Sequence, residues 1–340
     1  MAPLRDRTSK ARPLLNGDMT TRQRYDNETT EVRAKPLAAG DTVEVLSARE
    51  ILETLGSDGK LEGLPFMPEM LKYCGGRFRV YQRAERTCWH GQPRWLESTV
   101  HLEGLRCDGS AHGDCGARCL LFWKEAWLRP VTENTAVSDS ITEDPARRPV
   151  YEQLSGLAHK SNRLLVCQAT EIPKATSPSA LGNPPMNCAH LVGGLASGIF
   201  TGADIRTLTH YMKGKAVLFA FRTWTRVPWN RGKFRKTPSE TLGLKPGDWV
   251  RVRSAREILS TLDRNACNRG MQFKPEMFRY SGKKFRVLSL LRKIVNDETR
   301  RIQEFRTDSI ILDAVYCHGQ RSLCTRSNYY YWREIWLQRC

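Results

Sequence analysis

The chain has no run of 18 apolar residues, so no segment reads as a membrane-spanning helix. Its first residues lack an apolar core segment, so no secretory signal is read there and a cytoplasmic location is the expectation. Acidic residues are scarce beside basic ones. Against 36 Asp and Glu stand 54 Lys and Arg, for a net charge of +18. Such a balance points away from basic partners and toward anionic ones. Cysteine is too sparse for a dense disulfide scaffold, and its count of 11 is odd. With no export signal, reduced thiols are expected.

What is present is a stretch used twice. Gly40-Asp41-Thr-Val-Glu-Val45 is followed by Ser47–Leu52, Phe66-Met-Pro68-Glu69-Met70, Tyr73, Gly75 and Phe78-Arg79-Val80. Adding 207 to each number gives Gly247–Val252, Ser254–Leu259, Phe273-Lys-Pro275-Glu276-Met277, Tyr280, Gly282 and Phe285-Arg286-Val287. The copies also end alike, at Phe122–Leu128 and Tyr331–Leu337. This is an internal duplication. Hydrophobic residues make up 40% of the chain, with nine Trp, enough for two real cores.

Within each copy, Thr42–Val45 and Trp249–Val252 alternate apolar with polar, the pattern of a half-buried strand. Ser47 and Ser254, with Glu50 and Glu257 three residues on, form capping boxes. They open short helices expected over Ala48–Leu55 and Ala255–Leu262. Pro68 and Pro275 limit any regular element there. Further strands are expected at Arg77–Tyr81, Lys284–Leu288, Thr99–Leu105 and Ser309–Val315. Short strands between turn signals suggest small barrels. The Gly-Asp-Trp-Val-Arg-Val opening and the later Gly-Lys-Lys-Phe-Arg-Val strand resemble the SH3-like barrels of KOW-type proteins and of the nitrile hydratase β-subunit. The helix between the strands departs from that pattern. The resemblance implies a fold, and only faintly a scaffold or accessory role beside an enzyme.

The fold class expected is therefore mainly β with short helices (α+β): two duplicated SH3-like small barrels flanking a basic mixed middle segment. The boundaries read as a disordered basic tail over 1–36, a first repeat over 37–131, a linker over 132–149, a middle segment over 150–243 and a second repeat over 244–340.

The first repeat carries Cys107-Asp-Gly-Ser-Ala-His112-Gly-Asp-Cys115-Gly-Ala-Arg-Cys119. Three Cys and one His on a turn-rich loop can close a tetrahedron around a structural Zn²⁺. The loop also resembles the end of the CDGSH iron–sulfur motif, although Ala111 is inserted and the upstream Cys-x-Cys is missing. Zinc, an iron–sulfur cluster and unligated thiols stay open here, with Cys74, Cys88 and His90 as further candidate ligands. In the second repeat Cys317 and Cys324 match Cys107 and Cys115, but Asn328 takes the place of Cys119. A Cys317/His318/Cys324/Cys340 set is the alternative there.

The middle segment, counted over 145–243, holds 14 basic and four acidic residues. Val150–Ala158 reads as weakly helical, Leu164–Ala169 as a buried strand, Ile172–Asn187 as a loop and Ala203–Arg222 as a helix. Then Arg222, Trp224, Arg226, Trp229, Arg231, Lys233, Arg235 and Lys236 interleave cations with aromatics. Such a stretch can neutralise phosphates and stack on bases, so nucleic acid or an acidic protein is the expected partner. The alternative is a basic surface loop.

For catalysis, Cys167 with His159 or His190 could form a thiolate pair, but a buried strand cysteine explains Cys167 without one. Glu69 and Glu276 recur at equal positions, which argues for a shared structural role. The functional expectation is a non-catalytic, metal-stabilised binding protein. The competing reading is a metal- or iron–sulfur-dependent enzyme centred on Cys107–Cys119.

Overall fold

Val43 and Val45 point inward from the strand Thr42–Val45 while Thr42 and Glu44 point out. Val250 and Val252 do the same from Trp249–Val252. In the computed structural model, which describes residues 36–131, 147–160, 164–178, 232, 234–319 and 324–340, each strand is paired on both sides within a five-stranded antiparallel sheet. Of residues 159, 160 and 308 only the backbone is described. Residues 36–340 form one compact unit.

The two sheets share one strand order. In the first, Trp123–Lys124, Thr99–Leu102, Arg77–Arg83, Thr42–Val45 and Leu128–Pro130 lie side by side. In the second the order is Tyr329–Arg333, Ile302–Tyr316, Lys284–Val295, Trp249–Val252 and Leu337–Arg339. Registers match as well: Val43 sits opposite Phe78, and Val250 opposite Phe285. Among the described strands neither sheet closes on itself. The edge strands of the first sheet, Trp123–Lys124 and Leu128–Pro130, do not pair with each other and are separated by a 3₁₀ turn at Glu125–Trp127. The mainly β fold with short helices is therefore as expected, but in place of the two small barrels stand two open five-stranded sheets.

Both capping boxes form. Ser47 accepts from the Glu50 N–H and opens Ala48–Thr54; Ser254 accepts from the Glu257 N–H and opens Ala255–Leu259. Pro68 and Pro275 start 3₁₀ segments, Pro68–Tyr73 and Pro275–Tyr280. Each sheet then closes over matching aromatics. Phe66 meets Trp127 edge-on at 5.1 Å, and Phe273 meets Trp336 at 5.1 Å. Each of those indoles donates to a threonine, Thr54 or Thr261, at 3.0 Å.

Two expectations for the middle segment change. Arg147–Ala158 is a helix, but Leu164–Ala169 is a strand only at Leu164–Leu165. A helix, Gln168–Ala175, takes over from Cys167, whose N–H is capped by the Thr170 hydroxyl at 3.0 Å. It runs into the stretch expected as a loop and contains Pro173. A short apolar run does not distinguish strand from buried helix. Val150, Leu154, Leu165 and Ile172 join the core of the first sheet, so that part of the middle segment is no separate layer. The expected helix at 203–222 and most of the expected linker lie outside the described residues.

The second sheet has a long hairpin, Lys284–Val295 with Ile302–Tyr316, whose tip reaches the Cys107–Cys119 loop. There Gly116 N–H donates to Lys293 O at 2.9 Å. The first repeat answers with its 86–95 hairpin, part of a separate three-stranded sheet, where Thr325 N–H donates to Arg86 O at 3.0 Å. Arg86 and Lys293 are again 207 apart, so each half lends the matching arm to the other's cysteine loop.

Candidate metal centre

Gly109 and Gly113 take positive φ in the 107–119 loop and fold it tightly enough to turn its side chains inward. A Cβ at Gly109 would lie 2.2 Å from the Cys115 carbonyl oxygen, so only glycine fits. Gly319 stands in the same relation to Cys324, at 2.1 Å. The 3₁₀ segment Pro68–Tyr73 lies alongside and presents Glu69 to the loop.

Three side chains converge. The Cys107 thiol donates to Glu69 Oε1 at 3.3 Å and lies 3.6 Å from His112 Nε2. His112 Nδ1 is 3.3 Å from Glu69 Oε1. The ligand atoms of Glu69, Cys107 and His112 all fall within 4.8 Å of one another, so the group can hold a metal ion. Glu69 and His112 are buried. Glu69 Oε2 has no hydrogen-bond partner, and no Lys or Arg among the described residues pairs with this carboxylate. Its charged neighbour is the His112 imidazole, and the oxygen left without a hydrogen bond is costly to bury, a cost that a divalent ion would relieve.

The loop's other cysteines share the same space. Cys107, His112, Cys115 and Cys119 line one cavity of about 40 Å³, closed by Cys167, Gln168 and Val295. That volume exceeds what a single water needs. Cys115 is held by the Val295 N–H at 3.3 Å, so the arm of the second sheet touches the site.

Protonation follows from burial and neighbours. For His112 burial works downward, but hydrogen bonds to Cys115 and Glu69 outweigh it and raise its pKa to about 9. For Cys115 burial works upward, but His112 and the N–H groups of Val295 and Ala117 bring its thiol below the usual range. Burial, joined by the Glu69 charge, pushes the Cys107 thiol far up. Burial, joined by the neighbouring thiols and Asp297, pushes Cys119 and Cys167 up to about 12. The site thus holds protons that a metal would displace, as thiolate ligation requires.

The four residues expected from spacing, Cys107, His112, Cys115 and Cys119, are therefore brought to one cavity, although only Cys107 and His112 belong to the close group. Glu69 and Cys167 were missed as members. Glu69 does not cap its own turn; it faces the loop. The only signal was its recurrence as Glu276. Cys167 is far from the loop in sequence, so spacing carries no trace of it. His190 and the side chain of His159 lie outside the described residues. Cys74, Cys88 and His90 do not line the cavity. His90 instead meets Glu298 at 3.4 Å. In the second repeat, His318 Nε2 lies 3.4 Å from the Tyr280 hydroxyl, Cys324 is buried beside Cys88, and Cys340 is exposed. That alternative set is not assembled.

Of the basic–aromatic stretch, Arg222, Trp224, Arg226, Trp229, Arg231 and Lys233 lie outside the described residues, while Arg235 and Lys236 are exposed. No helix among the described residues is long and apolar enough to cross a membrane. Compared with protein-family models, curated proteins and solved structures, the chain matches none.

Proposed function

We propose that this is a non-catalytic binding protein for nucleic acid, stabilised by one zinc ion in its first repeat and built on two SH3-like units. The observation that carries it is the close group of Glu69, Cys107 and His112 on a cavity that Cys115 and Cys119 also line. Cys107, Cys115, Cys119 and His112 Nε2 would be the ligands, a Cys₃His set suited to a closed structural site. Glu69 would accept from His112 Nδ1 and fix the ring, the usual partner of a metal-bound histidine. The SH3-like reading is supported by the shared strand order, with a 3₁₀ turn before each last strand. The net charge of +18 supports the anionic partner.

Elemental analysis of protein purified without chelator tests the site. About one zinc per chain is expected, and Cys115→Ser should release it and lower the melting temperature. Glu69→Gln should keep the metal but weaken it about 10- to 100-fold. Metal-free protein that zinc does not stabilise would overturn the reading.

Cys167 favours a second reading. It adds a fourth thiol to the cavity, and four thiols suit an iron–sulfur cluster. Brown protein with visible absorbance and bound iron would select that reading over zinc.

A further inference from the structure

The outward faces of the two sheets differ in charge at matching positions. On the first, Glu44 pairs with Arg77 at 3.2 Å and with Arg129 at 3.5 Å, so acid and base offset each other. On the second, Arg251 stands where Glu44 stands, Lys284 where Arg77 stands and Gln338 where Arg129 stands. Thr42 is replaced by Trp249. The register sets Trp249 directly opposite Arg286, and Arg251 opposite Lys284. All four side chains face solvent, and Trp249 is 58% exposed. Directly opposite residues in a sheet have Cβ atoms about 5 Å apart, so these four form one contiguous patch. Arg251, Lys284 and Arg286 have no ion-pair partner among the described residues. The nearest acid in sequence, Asp248, is engaged by Arg339 at 3.1 Å.

An exposed indole beside three cations that form no ion pair, Arg286 donating only to the Gly247 carbonyl at 3.3 Å, is unfavourable for a face that meets only water. Core packing does not explain Trp249, because Thr42 occupies the same place over the other core. Stability does not explain the charges, because like charges set opposite one another destabilise a sheet. A ligand with a planar face and a repeating negative charge answers both features.

We propose that the outward face of the second sheet, at Trp249, Arg251, Lys284 and Arg286, is a binding site for single-stranded nucleic acid. One base stacks on Trp249, and the three cations take the neighbouring phosphates. The proposal deepens the nucleic-acid reading above and rests on it, but places the contact on the sheet rather than in the 222–236 stretch.

The test is fluorescence anisotropy of a labelled single-stranded oligonucleotide with the full chain, across a salt series. Trp249→Thr and Arg251→Glu each install the residue that the first sheet carries at the same place, so folding should be kept; melting curves check this. Trp249→Thr should weaken binding roughly fivefold to a hundredfold, the 1–3 kcal/mol of one stacked base, with little change in salt slope. Arg251→Glu should flatten the slope by about 0.7 or more, one phosphate contact on a single strand. A Lys284→Glu variant reads the same effect independently. If the wild type binds and all three variants bind as it does, the sheet-face site is overturned while the nucleic-acid reading stands. Failure of the wild type to bind at all overturns both. Equal binding of polyglutamate, insensitive to Trp249→Thr, would overturn the stacking site in favour of an acidic protein partner.

Discussion

Two buried histidines in the first repeat behave in opposite ways, and their neighbours explain why. His112 faces a carboxylate and a thiol, so its charged form is favoured despite burial. His101 has only the Leu121 carbonyl, 2.8 Å from Nδ1, and the Phe122 ring at 4.7 Å. Burial therefore pulls its pKa from 6.5 down to about 4. Nδ1–H donates to that carbonyl and Nε2 stays unprotonated without a partner. Because the folded value lies below the unfolded one, the folded state binds fewer protons. The stability is complete above pH 6.5 and is lost as pH falls toward 4, on the order of 3 kcal/mol in all. Stability should be measured by urea denaturation from pH 7 to pH 4 for the wild type and His101→Gln. The gap between them should narrow by about that amount. A constant gap would show that His101 does not titrate in this range. Neither histidine's environment was legible in the sequence. His112 stood out through its cysteine neighbours, whereas His101 lies in a strand with no motif around it.

Secondary elements were legible where a local rule fixes them. The alternation at Thr42–Val45 and the Ser-x-x-Glu boxes act within a few residues, and both repeats form them as expected. Helix ends came shorter, at Thr54 and Leu259, because nothing local enforces the last turn. The long arm Lys284–Val295 and the helix Gln168–Ala175 were misjudged, since each is set by packing against distant chain. The capping boxes make a direct prediction. Ser47→Ala removes the acceptor of the Glu50 N–H, and should cost about 1 kcal/mol in urea denaturation, with Ser254→Ala close to it. A loss below a few tenths for both would mean that tertiary packing alone holds these helices. In each box, hydrogen bonds from the serine lower the glutamate's pKa. The caps are therefore strongest above the unfolded glutamate value of 4.5 and weaken as pH falls below it.

At the scale of the whole molecule, the exchanged arms decide how the halves hold together. Glu171 is the charge that ties them. It is fully buried on the Gln168–Ala175 helix and meets Lys60 of the first repeat at 3.1 Å and Arg300 of the second repeat's arm at 3.0 Å. The Leu165 N–H donates to Arg300 O at 2.8 Å beside it. Lys174 also meets Glu171, at 3.7 Å, but its side chain is largely exposed and its contribution small. None of this was visible in the sequence, where residues 60, 171 and 300 are unrelated by spacing. Removing the acid leaves the partly buried Arg300 with no counter-charge and Lys60 with only the exposed Asp58, at 3.2 Å, and breaking a buried pair in this way typically costs 3–5 kcal/mol. Glu171→Gln should therefore destabilise the protein by about that much. Glu152→Gln, which breaks the exposed Arg148–Glu152 pair, should change stability by less than about 0.5 kcal/mol. Hydrogen exchange separates a local from a global effect. If Glu171 locks the arm, the Leu165 amide should lose protection in Glu171→Gln before the Val250 amide, which lies inside the second sheet. Equal loss at both amides would mean that the halves unfold as one and that the ion cluster is not the link between them.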